Sequence, residues 1–200
     1  MIVELVGAPA AGKSYLAPAL AAQSGVPVIE IGRWGQKYLY FCLFALMNWK
    51  ATRRVIRESR LEIRAHPEMR HVKKIRTFMR MGAKVAKARL FGRGLVIEGI
   101  FQTLTATFEE PVAASTLESY FNLVRWKPDV VFIIKADRDL RMRRMRSRQS
   151  IPRERLGAAH WQRSLAVVEA NLRTLETILT DRGNTVIYEN NGTDTSRTLP

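Results

Sequence analysis

Residues 7–14 read Gly7-Ala8-Pro9-Ala10-Ala11-Gly12-Lys13-Ser14, and no other stretch of the chain constrains its fold as tightly. The pattern is Gly, four residues of any kind, Gly-Lys, then Ser or Thr. Ahead of it lies Ile2-Val3-Glu4-Leu5-Val6, a short apolar run that predicts a buried strand. After it comes Tyr15-Leu16-Ala17-Pro18-Ala19-Leu20-Ala21-Ala22, an Ala/Leu-rich run that predicts a helix, with Pro18 in its first turn or at a kink. In a strand–loop–helix arrangement, backbone N–H groups and the helix dipole converge on one anion. Gly7 and Gly12 permit a path that a Cβ would obstruct. Lys13 would reach the outer phosphates and the Ser14 hydroxyl would ligate Mg²⁺, so residues 7–14 predict a site for ATP or another nucleoside triphosphate.

Two hundred residues suffice for one α/β domain with its own core, and a hydrophobic content of 46% suits a globular chain. A single cysteine, Cys42, rules out an internal disulfide and fits a reducing cytoplasm. The longest apolar run, Leu39 to Met47, falls short of the roughly 20 residues a membrane span requires. His66, His71 and His160 show no metal-ligand spacing. The net charge of +15 is unevenly spread: between Arg33 and Arg93 there are 17 Lys/Arg against 3 acids, Glu58, Glu62 and Glu68. Three readings fit that excess: a solvated helical face, recognition of a strongly anionic acceptor or nucleic acid, or contact with an anionic membrane surface.

Val26 to Ile31 reads as a second strand. From Trp34 to about Leu90 no strand-like alternation occurs, and Pro67 and Gly82 divide the region into three helices. Gly94 to Glu98 predicts a third strand, Pro111 to Val124 a helix, and Val130 to Ile134 a fourth strand. Asp137 is placed to cap a very basic helix from Arg138 to Arg148. Leu165, Val168, Leu172, Leu175 and Leu179 alternate steps of three and four, one face of a long amphipathic helix over 156–179. Thr185 to Tyr188 predicts a fifth strand, and the tail beyond Asn190 is polar. Five apolar strands separated by helices argue a parallel sheet covered on both faces. The basic insertion between strands two and three would then overhang the sheet's C-terminal edge, where ligands bind in such folds.

The order of these features resembles the P-loop kinases of the nucleoside- and nucleotide-kinase type, such as thymidylate, adenylate and deoxynucleoside kinases. The likeness is carried by the loop at 7–14, by Leu95-Val96-Ile97-Glu98-Gly99 with its strand-ending acid, by Lys127-Pro128-Asp129-Val130-Val131-Phe132-Ile133, and by the Arg-rich run Arg141 to Arg148. It implies a three-layer P-loop NTPase fold in a single domain over 1–200. Its parts would be a five-stranded parallel sheet with helices on both faces, a basic helical acceptor-side insertion at 33–93, and an Arg-rich lid at 141–155. By the same resemblance, adenine would pack near Asn190-Asn191-Gly192-Thr193.

Phosphoryl transfer depends mainly on positioning and charge neutralisation. Lys13 and Ser14 supply part of both. Glu98, at the C-terminal end of a central strand, would face the loop and either hold Mg²⁺ or accept the proton of an attacking hydroxyl. Arg144 and Arg148 stand one helical turn apart, so both could meet transferring phosphates; Arg141, Arg153 and Arg155 are further lid cations. Arg33 and Gln102 are expected near the acceptor. Asp129 reads as structural, and Trp34, Trp49, Trp126 and Trp161 as packing residues. The catalytic set is therefore Lys13, Glu98, Arg144 and Arg148, with ATP and Mg²⁺ as cofactors. The function expected is a cytoplasmic ATP- and Mg²⁺-dependent phosphotransferase acting on a hydroxyl or phosphate of a small molecule. Two alternatives stay open: a nucleic-acid-associated NTPase or 5′-end kinase, favoured by the basic insertion, and a peripheral membrane kinase acting on a lipid or lipid-linked glycan.

Overall fold

The computed structural model describes residues 1–32, 34–65, 72–108, 110–147, 158–183 and 185–190. Four strands, β1 (Ile2–Gly7), β2 (Gly94–Ile97), β3 (Val130–Lys135) and β4 (Thr185–Glu189), form one parallel sheet in the order β2-β1-β3-β4. The second of the five expected strands, at Val26–Ile31, is reduced to a single bridge, Val28 beside Leu95. Ile29 N–H donates to Leu95 O and Leu95 N–H donates to Pro27 O, each at 2.8 Å. Pro27 has no N–H of its own to extend a ladder, so the segment flanks β2 without becoming a strand. All six residues of β1 are buried, as expected of a central strand with both faces covered.

On one face, α1 (Lys13–Ser24) presses Leu16, Ala17 and Leu20 against Val3, Leu5, Leu95 and Ile134. Pro18 lies inside α1, on its exposed side. On the other face, α5 (Ile100–Thr107), α6 (Ala114–Leu123) and α8 (Ala158–Thr180) share a larger core with Val6, Val131 and Ile133. The predicted apolar face of α8 is confirmed, with Leu165, Val168, Leu172, Leu175 and Leu179 all buried. Each such side chain contributes about 1.5–3 kcal/mol when fully buried. Asp137 caps α7 (Arg138–Arg146) as expected: its Oδ1 accepts from Asp139 N–H at 2.9 Å and Leu140 N–H at 3.2 Å. Those backbone donors hold its carboxyl below the ordinary aspartate value.

The insertion does contain three helices, α2 (Trp34–Met47), α3 (Trp49–Ala65) and α4 (Val72–Leu90), but Gly82 does not break it. Gly82 lies within α4, where a Cβ would come within 2.6 Å of the Phe44 ring, so glycine there lets α2 and α4 approach closely. The junction between α2 and α3 is Asn48. Its Nδ2 donates to Phe44 O at 3.0 Å and its Oδ1 accepts from Arg125 N–H at 2.7 Å and Trp126 N–H at 2.9 Å. One buried amide thus ties the insertion to the connection before β3. Pro67 lies outside the described residues.

Candidate active site

β1 runs out of the sheet into the loop, and α1 begins at Lys13. Gly12 is left-handed (φ 101), and a Cβ there would come within 2.3 Å of Asn190 Nδ2. Ala10 is left-handed too (φ 61), a conformation that costs an L-residue roughly 1–2 kcal/mol. Three side chains distant in sequence hold the loop in this shape. Gln102 Oε1, carried by α5, accepts from Gly7 N–H at 2.8 Å. Asn190 Nδ2, just beyond β4, donates to Ala11 O at 2.9 Å. Arg144 Nη1, from α7, donates to Ala10 O at 3.4 Å.

Lys13 is 6% exposed, and its Nζ donates to Gly7 O at 2.8 Å and Ala8 O at 3.2 Å. The same Nζ lies 3.5 Å from Glu98 Oε1. Glu98 directly follows β2 and is left-handed (φ 57), while its N–H donates to Leu5 O at 3.2 Å. Non-glycine residues held in this region concentrate at functional sites. Ser14 is exposed on the first turn of α1. Lys13, Ser14, Glu98 and Arg144 therefore gather at one end of the sheet, though the sequence spreads them over more than 130 positions.

Gln102, expected near the acceptor, is 9% exposed, and its carbonyl oxygen accepts from the loop at Gly7. Arg141 is a correction among the lid cations. It is 6% exposed, donates to Ala136 O at 3.1 Å and pairs with Glu169 at 2.6 Å, so it braces α7 against α8. Arg33, Arg148, Arg153, Arg155 and Asn191 to Thr193 lie outside the described residues. Asp129 is structural as expected, accepting Ile2 N–H at 2.7 Å and pairing with Arg89 at 3.0 Å. Trp126 packs on the core and Trp161 on Ala10, Met145 and Leu165, whereas Trp34 and Trp49 are exposed, against expectation.

Sequence reasoning missed a buried carboxylate. Glu4, fully buried in β1, accepts from Phe101 N–H at 2.9 Å and Gln102 N–H at 3.0 Å with Oε1, while Oε2 has no partner. It sits at the positive end of α5, yet burial dominates and pushes its pKa up to about 7. Glu4 thus fixes the start of α5, and α5 carries the glutamine that holds Gly7. Its signal was a charged residue in the middle of an otherwise apolar strand.

A row of cations stands beside Glu98. Lys84 Nζ donates to Ile97 O at 2.6 Å. Burial lowers its pKa, nearby Arg80 lowers it further, and Glu98, Glu4 and Glu30 oppose the change. Arg76, Arg80 and Lys84 recur every four residues on α4, and Lys37 of α2 joins them. Its pKa too is lowered, by burial first and then by Arg76 and Arg80. The Trp34 ring has Lys37 Nζ at 4.6 Å and the Arg76 guanidinium at 4.9 Å.

Among the described residues no group of three or more His, Cys, Asp or Glu could hold a metal alone. The hydroxyl of Ser14 and the carboxylate of Glu98 are hard oxygen donors suited to a Mg²⁺ that takes its remaining ligands from phosphate and water.

No family model matches the chain, and no curated protein matches it. Among solved structures it is similar to a deoxyadenosine kinase from M. mycoides with bound dATP, with a TM-score of 0.55 and 11% identity over 94% of this chain and 91% of that one. It is also similar to a deoxyadenosine kinase from M. mycoides with bound dCTP, at a TM-score of 0.47 and 11% identity over 98% of this chain and 92% of that one. The chain shares its fold with the first of these structures.

Proposed function

We propose that this chain is an ATP- and Mg²⁺-dependent phosphotransferase whose acceptor is a small molecule carrying negative charge. The observation that carries the reading is the 3.5 Å approach of Lys13 to Glu98 across the open end of the sheet. It sets a phosphate-binding cation beside a carboxylate able to serve an incoming hydroxyl. Lys13 would leave the loop carbonyls for the outer phosphates of ATP, and the first N–H groups of α1, which have no acceptor within the helix, would bind the same anion. Glu98 would accept the hydroxyl proton or orient the acceptor. Arg144, already against the loop at Ala10, would neutralise charge on the transferring phosphoryl group. Ser14 and Glu98 would hold Mg²⁺, which would supply neutralisation of the phosphate charge. The row Lys84, Arg80, Arg76 supports an anionic acceptor, because cations spaced four apart on a helix repel one another unless an anion neutralises them.

The test is transfer from γ-labelled ATP to nucleosides, nucleotides, sugars and sugar phosphates, with Glu98→Gln alongside. Turnover in Glu98→Gln is expected to fall at least about 100-fold with little change in ATP affinity. Normal turnover with every accepted substrate would return Glu98 to a turn residue.

A further inference from the structure

The insertion carries a second feature that plays no part in phosphoryl transfer. At the α2–α3 junction Asn48 closes one helix and opens the next, its N–H donating to Phe44 O at 2.8 Å and its carbonyl oxygen accepting from Thr52 N–H at 2.9 Å. The burial pattern keeps one angular register through this turn. Phe44, Asn48, Ala51 and Val55, all buried, define the inward face. On the opposite side, Leu39, Cys42, Leu46 and Trp49 recur at steps of three, four and three, and every one is exposed. Leu39 is 67% exposed, Leu46 73% and Trp49 62%. The same line continues into α3 as Arg53, Arg57 and Arg60, also exposed. At about 100° per residue these seven positions fall within a sector of roughly 80°, in a stripe about 30 Å long.

Half of this stripe is apolar and half cationic. The Glu58 carboxylate of α3 is turned away from it, bonded to Arg54 and to the Tyr120 hydroxyl. None of the described helices is long and apolar enough to cross a membrane. A helical face with exposed Leu and Trp and a line of arginines lies flat at a lipid–water boundary, apolar side chains among the acyl chains and cations at the headgroups. A second copy of the chain fits less well, because each copy brings a net charge of +15. We propose that the outer face of α2–α3 docks on an anionic lipid bilayer, with Leu39, Leu46 and Trp49 entering the interface and Arg53, Arg57 and Arg60 meeting the headgroups. This docking is independent of the phosphotransferase reading, and either can fail alone.

The test is co-sedimentation of the full chain with vesicles of phosphatidylcholine alone, and of phosphatidylcholine with about one third phosphatidylglycerol. Binding is expected to the anionic vesicles only and to weaken as salt rises. Leu39→Glu with Leu46→Glu, and separately Arg53→Glu with Arg57→Glu, should each lower the partition coefficient at least about tenfold. Arg93→Glu with Arg173→Glu, exposed positions outside the stripe, changes the net charge by the same amount as the arginine pair and should stay within about twofold of the wild type. Because all the altered side chains are exposed, unchanged ellipticity and melting temperature confirm that each variant folds. No binding by the wild type would overturn the proposal, and so would equal losses in the stripe and control variants, which would reduce binding to overall charge. A dimer that Leu39→Glu with Leu46→Glu dissociates would also overturn it, assigning the face to a second copy.

Discussion

The phosphate-binding loop and the α2–α3 part of the insertion are built by different means. Residues 7–14 are recognisable from eight consecutive letters, yet their shape is held from outside, by Gln102, Asn190 and Arg144. The insertion matches no motif, and although periodicity separates buried Val55 from exposed Arg53, Arg57 and Arg60 in α3, it does not separate buried Phe44 from exposed Leu39, Leu46 and Trp49, because both sides of α2 are apolar. A local motif can thus depend on distant support, and a helix that is apolar all round acquires its inward face only by packing. Perturbations of the loop should therefore propagate, and those of the outer stripe should not.

Lys13→Ala tests the loop side most severely. Turnover is expected to fall by about 10³-fold or more while the helical spectrum is retained, because the lost group is a charge at the first position of α1 and not part of the apolar core. Wild-type turnover in a folded Lys13→Ala protein would remove the loop from the chemistry.

Glu4 comes next. Its folded pKa of about 7 lies above the ordinary glutamate value of 4.5, so the folded state holds the proton more tightly than the unfolded chain. The resulting stability is fully present below about pH 4.5 and is lost as pH rises through 7, a change of about 3 kcal/mol. Urea unfolding across that range should show the decline, and Glu4→Gln should flatten it. A wild-type profile that is flat or rises would show that Glu4 ionises without penalty.

Gln102→Ala leaves the buried Gly7 N–H without its acceptor. Stability is expected to drop by about 1–3 kcal/mol, and the ATP affinity should weaken as the loop loosens. An unchanged affinity would mean that Asn190 and Arg144 hold the loop without help.

The smallest effect is expected from the insertion. Leu46→Glu replaces a side chain 73% exposed, so unfolding free energy should stay within about 0.5 kcal/mol of the wild type. A larger loss would mean that this face packs against something in the folded chain and is not free to meet a partner.

The loop, the strand-ending Glu98, the cap at Asp137 and the apolar face of α8 were all legible in the chain, because each rests on residues within one turn, one strand or one helical period. The four-stranded sheet was not, since Pro27 still looks like part of an apolar strand until its missing donor is set against the edge of β2. Gly82 read as a breaker because a sequence does not show the Phe44 ring that packs against it. Arg141 and Arg144 are three residues apart on one basic helix, and only the packing of α7 turns the first to Glu169 and the second to Ala10. Glu4 illustrates the division most clearly. Its presence in β1 is a fact of the sequence, but its raised pKa and its place beneath α5 arise only when both sheet faces are covered and water is excluded from the carboxylate. Periodicity and spacing act through neighbours along the chain, whereas burial and partner choice depend on segments brought together from far apart.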